Sequence, residues 1–141
     1  MRPGHTLPEL AIVLLLLGIA GTALLPSARA AADRVAVTAA REAVAWAVVR
    51  ARSEAMLHGG AVLRLRAAGG LVGVRVSDSI VGLRRLGEDY GVSMNLGAAD
   101  EAELVFDALG LGRRASRTVV LRRGGTESRL VIAAYGRAVR R

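Results

Sequence analysis

Polar and apolar positions along the chain follow three successive patterns. From Leu10 to Ala28 there is no charge at all: LAIVLLLLGIAGTALLPSA, 19 residues apolar on every side. At about 1.5 Å per residue a helix over this run reaches roughly 28 Å, close to the roughly 30 Å of a bilayer core. From Asp33 to Leu57 there is no Gly or Pro, and Ala and Arg, both good helix formers, dominate. Here Val37, Ala40, Val44, Val48, Ala51 and Ala55 recur at three- and four-residue steps and predict one apolar stripe, which Arg34, Arg41, Glu42, Arg52 and Glu54 avoid. Gly59-Gly60 ends the pattern. The prediction is a single helix from near Thr6 to His58, apolar all round in its first half and amphipathic in its second, with Pro26 as the place to bend.

After Gly60 the period becomes two. Ala61–Arg66 sets Leu63 and Leu65 against Arg64 and Arg66, and Leu71–Val76 sets Val72, Val74 and Val76 against Gly73 and Arg75, with Ala67–Gly70 as the turn between them. Further strands are predicted over Ile80–Leu86, Val92–Leu96, Glu103–Phe106, Arg117–Arg122, Glu127–Ala133 and Ala138–Arg140, with Gly97–Ala102 an acidic loop. Strands gathered behind one helix mean an α+β fold, the helix packed on antiparallel β-structure.

Composition narrows what such a fold can do. The chain has 141 residues, enough for one compact domain and an appendage. It has no cysteine, so disulfides, zinc-thiolate sites and thiol catalysis are excluded. Its two histidines, His5 and His58, stand far apart in sequence, which argues against a histidine metal cage or a catalytic triad. The expectation is a protein that is not an enzyme and takes no cofactor or metal. Aromatics are 3% of the chain, too few for an aromatic-rich stacking surface, and Trp46, Phe106 and Tyr135 are expected in core or interface. The acidic set Asp100, Glu101, Glu103 and Asp107 lacks the spacing of a calcium loop and reads as solvated. Gly110-Leu111-Gly112-Arg113-Arg114 lacks the ending and following helix of a phosphate loop. His58 is expected to complement the helix end.

Charge is the remaining asymmetry. The net charge is +8, all cations are Arg, and residues 113–141 hold nine Arg against the single acid Glu127. A block of this kind can draw nucleic acid, anionic lipid or an acidic partner protein, or simply form solvated strand faces.

The N-terminal segment admits three readings. One is a cleaved signal peptide, with Arg2 as its positive start and Ala28-Arg29-Ala30 as its cleavage site; another is a plain signal anchor. The third follows from Glu9, a carboxylate directly ahead of the uncharged run, which needs a partner wherever it meets lipid. Thr6-Leu7-Pro8-Glu9 also fits a capping box, with Pro8 in the first turn where a missing N–H is tolerated.

The stretch Gly4-His5-Thr6-Leu7-Pro8-Glu9 resembles the start of the type IV prepilin family, which reads Gly-Phe-Thr-Leu-x-Glu before an apolar helix. His5 stands where that family usually has Phe and Pro8 where it usually has an aliphatic residue. The resemblance implies that a prepilin peptidase/methyltransferase cuts between Gly4 and His5 and methylates the new terminus. It implies that Glu9 pairs with the terminus of a neighbouring subunit during assembly, and that residues 29–141 lie outside the cytoplasm. The second half resembles minor pilins and pseudopilins of the GspH/FimT type. The segments that carry this are Ala51-Arg52-Ser53-Glu54-Ala55, Phe106 with Gly110, and Gly136-Arg137.

The organisation so implied is a leader, 1–4; a membrane and filament-core helix half, 5–28; an amphipathic helix half, 29–58; and a periplasmic β-rich domain, 59–141. The implied partners are the peptidase, other major and minor pilins or pseudopilins, an inner-membrane assembly platform and inner-membrane lipid. The leading functional expectation is a minor pseudopilin of a type II secretion system, helping to export folded proteins. The alternative is a FimT-like minor pilin that binds DNA in natural transformation, through Arg113, Arg114, Arg117, Arg137, Arg140 and Arg141.

Overall fold

The computed structural model describes residues 7–113, 116–133, 135 and 137–140. The chain divides into two compact units, Met1–Ala32 and Asp33–Arg141. Helix α1, Leu7–His58, begins in the first and ends in the second, with Pro26 inside it. It stops at the glycine pair, because Gly59 takes φ +81°, a conformation that glycine adopts at little cost.

The second unit holds the β-structure. Its strands are β1 (Gly60–Arg66), β2 (Leu71–Val76), β3 (Ser79–Arg85), β4 (Ser93–Asn95), β5 (Glu101–Asp107), β6 (Arg117–Arg123), β7 (Thr126–Ile132) and β8 (Ala138–Arg140). A 3-10 turn, Ala68–Gly70, joins β1 to β2, and a short helix α2, Leu86–Tyr90, follows β3. The expected antiparallel layer is divided into two four-stranded sheets, ordered β3-β2-β1-β5 and β4-β6-β7-β8. All described pairings are antiparallel.

Most strands differ from the sequence expectation by a residue or two at their ends: β1 gains Gly60, β4 is only Ser93–Asn95 within the expected Val92–Leu96, and β6 gains Arg123. Leu86 opens α2 instead of closing β3; it is fully buried there, so an apolar residue that suits a strand end serves equally as a helix anchor. Within the expected acidic loop, Glu101 and Ala102 belong to β5, held opposite Arg66 and Leu65 of β1. Thr126 joins β7 and Ala133 leaves it, a shift of one residue at each end.

The core explains why the amphipathic half of α1 is alanine-rich. Val37, Ala40, Val44, Val48, Ala51 and Ala55 are all buried, the stripe predicted from their spacing. The cluster they join includes Leu63, Leu65, Val72 and Val74 from the first sheet and Val119, Leu121, Leu130 and Ile132 from the second, with Phe106 among the largest fully buried side chains. Small side chains on the helix let the strands approach closely, while alternate strand positions supply the bulk.

One tie fastens the beginning of this unit. Arg123, at the end of β6, sets its guanidinium 3.0 Å from Asp33 of α1 and also donates to the carbonyl of Tyr90. Gly124, with φ +54°, lets the β6–β7 turn pass against the Asp33 carboxylate, where any Cβ would collide with it. Arg41 reinforces the same side by donating to Ser128 of β7.

Candidate functional site

Three surfaces could carry function: the N-terminal helix, the outer face of its second half, and the basic strands. In the first unit, Glu9 lies in the first turn of α1. Gly4, His5 and Thr6, and with them the processing site and the capping box, lie outside the described residues. The apolar side chains that follow bury little. Leu10, Ile12, Val13, Leu14, Leu15, Leu16, Leu17, Ile19 and Leu25 are each about half or more exposed. Among the described residues, no helix is long and apolar enough to cross a membrane. The side chains of residue 20 and residues 22–24, which belong to the uncharged run, are outside the described set.

The second surface was missed by the sequence reading. Val35, Trp46, Val49, Met56 and Leu57 are all exposed, Trp46 by 57% and Val35 by 70%. At 100° per residue they share a sector opposite the buried stripe, so this half of α1 is apolar on two faces. Trp46 forms a ridge between two grooves. One, of about 450 Å³, runs past Val49 to Arg137 and Ala138; the other, of about 230 Å³, runs past Arg50 to Gly82 and Leu83. The Arg50 guanidinium stacks 5.4 Å from the indole centroid. Of the three aromatics expected in core or interface, Phe106 is core, while Trp46 and Tyr135 are exposed. The signal for the second stripe was present in the spacing of 35, 46, 49 and 57, but the first stripe alone sufficed to predict a helix.

The third surface is the Arg-rich tail, and the fold commits much of it. Glu127 accepts from Arg129 and Arg122, each at 2.7 Å, and Arg129 first, then Arg122, hold its carboxyl below the usual carboxylate range. Arg123 is tied to Asp33. Arg113 lies 3.4 Å from Asp107. Asp107 also accepts the Leu109 and Leu111 amides at 3.0 Å each. The Leu111 amide is the foremost cause of a carboxyl held below its usual range, with Leu109 and Arg113 assisting and partial burial opposing. Arg52 of α1 closes this loop by donating to the carbonyl of Gly110 at 3.0 Å.

Of the predicted DNA-contacting set, Arg117 and Arg137 are exposed and have no described ion-pair partner. The register brings their backbones to one end of the second sheet. Arg117 pairs with Ile132 and Ile132 with Ala138, next to Arg137, so the two arginines stand about two strand spacings, roughly 10 Å, apart. Arg140 pairs through its backbone with Leu130. Arg114 and Arg141, and the side chain of Arg140, lie outside the described residues.

The acidic cluster does not act as one. Glu103 pairs with Arg64 at 2.8 Å and Glu101 with Arg66 at 2.6 Å, while Asp107 organises its own loop. No group of three or more metal-ligating side chains gathers among the described residues. His58, in the last turn of α1, places Nε2 3.4 Å from Glu54.

With this geometry in hand, solved structures give a clear parallel. The type IV minor pilin FimU of Pseudomonas aeruginosa (strain PAO1) superposes with a TM-score of 0.61 at 21% identity, over 77% of this chain and 90% of that one. A second crystal form of the same pilin gives 0.57 at 20%, over 74% and 91%. The fold is that of a type IV pilin. No family model matches the sequence, and no curated protein matches it either.

Proposed function

We propose that this pilin-like chain is a non-enzymatic subunit of a type IV pilin-like filament. Residues 1–4 are its leader, and the helix from residue 5 anchors it in the inner membrane before entering the filament. Its β-domain stands in the periplasm. The observation that carries the reading is the unburied apolar surface of α1 between Leu10 and Leu25, directly behind a first-turn carboxylate. Nine large apolar side chains facing outward are stable only in lipid or against other helices, and burial of each is worth about 1.5–3 kcal/mol. Glu9 then acquires a specific role, because its charge is costly in an apolar surround unless a cation meets it, and the terminal amine freed by cleavage at Gly4 is such a cation. The exposed Trp46 stripe gives the β-domain end of the helix a second apolar contact for neighbouring subunits.

Within that class the sequence resemblance favours a minor pseudopilin of a type II secretion system. Two experiments test the proposal. The intact mass of the native protein should correspond to a chain that starts at a methylated His5; a start at Ala31 would overturn the reading. Glu9→Ala should leave the β-domain folded while the chain drops out of the assembled filament, as seen by crosslinking to neighbouring subunits.

A second reading, a pilus subunit that binds DNA, is favoured by two observations. The solved neighbours are described as a minor pilin, and Arg117 and Arg137 are exposed at one end of a sheet with no ion-pair partner among the described residues. Phosphate contacts by such arginines would show as affinity that falls steeply with salt. For the full chain in a nonionic detergent, replacing Arg117, Arg137, Arg140 and Arg141 by Gln should reduce both affinity and salt slope. Affinity unchanged by these substitutions would remove this reading and leave the secretion subunit standing.

A further inference from the structure

The outer face of the first sheet carries an apolar pit that the filament reading does not use. Sheet faces turned to water ordinarily alternate to polar residues, yet Leu71, Ile80 and Leu83 all line a cavity of about 240 Å³ there. Its opening is made by Gly73. The register sets Gly73 directly between Arg64 of β1 and Leu83 of β3, so a row that would otherwise carry a side chain has a hole at its centre. A shift in register between Val74 and Arg75 pairs Ile80 with Arg75 and sets both at the end of the pit. Ile80 is 65% exposed, so nothing within the described chain covers it.

The rim is basic. Arg64 and Arg66 wall one side, but their guanidinium groups are held by Glu103 and Glu101 on the neighbouring strand β5. Arg75 differs. It is exposed, and among the described residues no carboxylate pairs with it. The pit therefore offers an apolar hole for one side chain and, beside it, one uncommitted planar cation that binds carboxylates through two parallel hydrogen bonds. A phosphate alone gains nothing from its apolar floor.

From this juxtaposition we infer that the outer face of the first sheet is a docking site for an acidic peptide segment of another protein. One of the segment's apolar side chains fills the pit over Gly73, and an adjacent carboxylate pairs with Arg75. Burial of the anchor supplies affinity, and Arg75 supplies the choice of sign and direction. Neither depends on whether the chain assembles into a filament.

Gly73 provides an unusually clean test. Its φ is not in the left-handed region, and an added Cβ would meet only ordinary contacts, the nearest being Leu83 Cδ1 at 3.6 Å. The Cβ of Gly73→Val is therefore accommodated, and its two methyls add bulk at the mouth of the pit. The measurement is methyl NMR of Leu71, Ile80 and Leu83 in the full chain in nonionic detergent, titrated with the peptide acetyl-Gly-Glu-Leu-Glu-Gly-amide. The expected result is saturable shifts at these methyls, lost in Gly73→Val and weakened about tenfold in Arg75→Gln. Peptides with Ala for the central Leu, or Arg for both Glu, should bind at least about tenfold more weakly. A thermal midpoint for Gly73→Val no lower than that of the parent keeps the variant interpretable. If it is lower, the Ala-centred peptide binding as tightly as the Leu peptide decides against the site. Absence of saturable shifts, equal binding to Gly73→Val, or equal binding of the Arg peptide would each overturn the inference.

Discussion

Residues 7–32 and 33–58 belong to one α-helix and both are rich in apolar residues, yet those residues meet opposite fates. In the second half the valines and alanines at 37, 40, 44, 48, 51 and 55 are sealed beneath two sheets. In the first half, leucines and isoleucines larger than any of these remain exposed. Apolarity alone therefore does not say where a side chain ends up. Periodicity does: a stripe with charged residues between its members is paired with a partner inside the chain, whereas an uninterrupted apolar surface has to find its partner outside it. Trp46 and Val49 show that the two cases can coexist, because the half that packs internally also keeps an apolar face outward.

The contrast is broken most severely at Val44. Replacing this fully buried residue by Asp should cost more than about 4 kcal/mol and unfold the β-domain, seen as loss of its cooperative thermal transition. Leu15→Asp, at an exposed position of the other half, should leave that transition in place and, on the membrane-anchor reading proposed above, weaken membrane retention instead. Equal effects of the two on the transition would mean that the halves are not distinct. Next in size is Gly124→Ala, which puts a Cβ into the Asp33 carboxylate at a positive φ; a loss of about 1–3 kcal/mol is expected by chemical denaturation. Trp46→Ala sharpens the comparison from the other side. Stability should change by less than about 0.5 kcal/mol, since the indole is mostly exposed, while crosslinking to neighbouring subunits should fall.

The smallest effect is pH-dependent. The carboxyl of Asp107 is depressed in the folded chain, so its contribution is complete above the ordinary carboxylate range and is lost as pH falls through the folded value. Asp107→Asn should lower stability at neutral pH slightly and flatten the acid limb of the stability curve. An acid limb identical to the parent's would show that the loop from Asp107 to Arg113 does not depend on this carboxylate.

Much of the architecture was legible because it is written in local periods. The helix end at His58, the β2 span and the buried stripe follow from spacings of two, three and four residues and from the Gly59-Gly60 stop. The division into two sheets was not legible, since pairing partners such as Leu63 and Leu104, far apart in sequence, are chosen by packing and leave no local mark. The same holds for charge. Nine arginines in 29 residues looked like one basic block, but Arg123 finds its acid 90 residues away and Arg122 and Arg129 share Glu127, so the field available to a ligand is smaller than the count suggests. The pit over Gly73 escaped because Gly73 and Arg75 read as the polar side of an alternating strand, and only the register with Leu83 and Ile80 gives that side an apolar floor.

The tie between Asp33 and Arg123 has a mechanical meaning. Any pull on the N-terminal segment reaches the β-domain through the peptide bond joining Ala32 to Asp33, and Asp33 is the first residue of that compact unit. Its carboxylate passes the load to Arg123, which shares it with the Tyr90 carbonyl and, through the paired strands, with β7 and β4. The sheet thus takes a share of the load close to where it enters the unit, alongside the share that the helix carries on to Val37 and Ala40. With Asp33→Ala the same tension would fall first on apolar contacts, which slide where ionic ones hold, and the helix would peel from the domain under a lighter load.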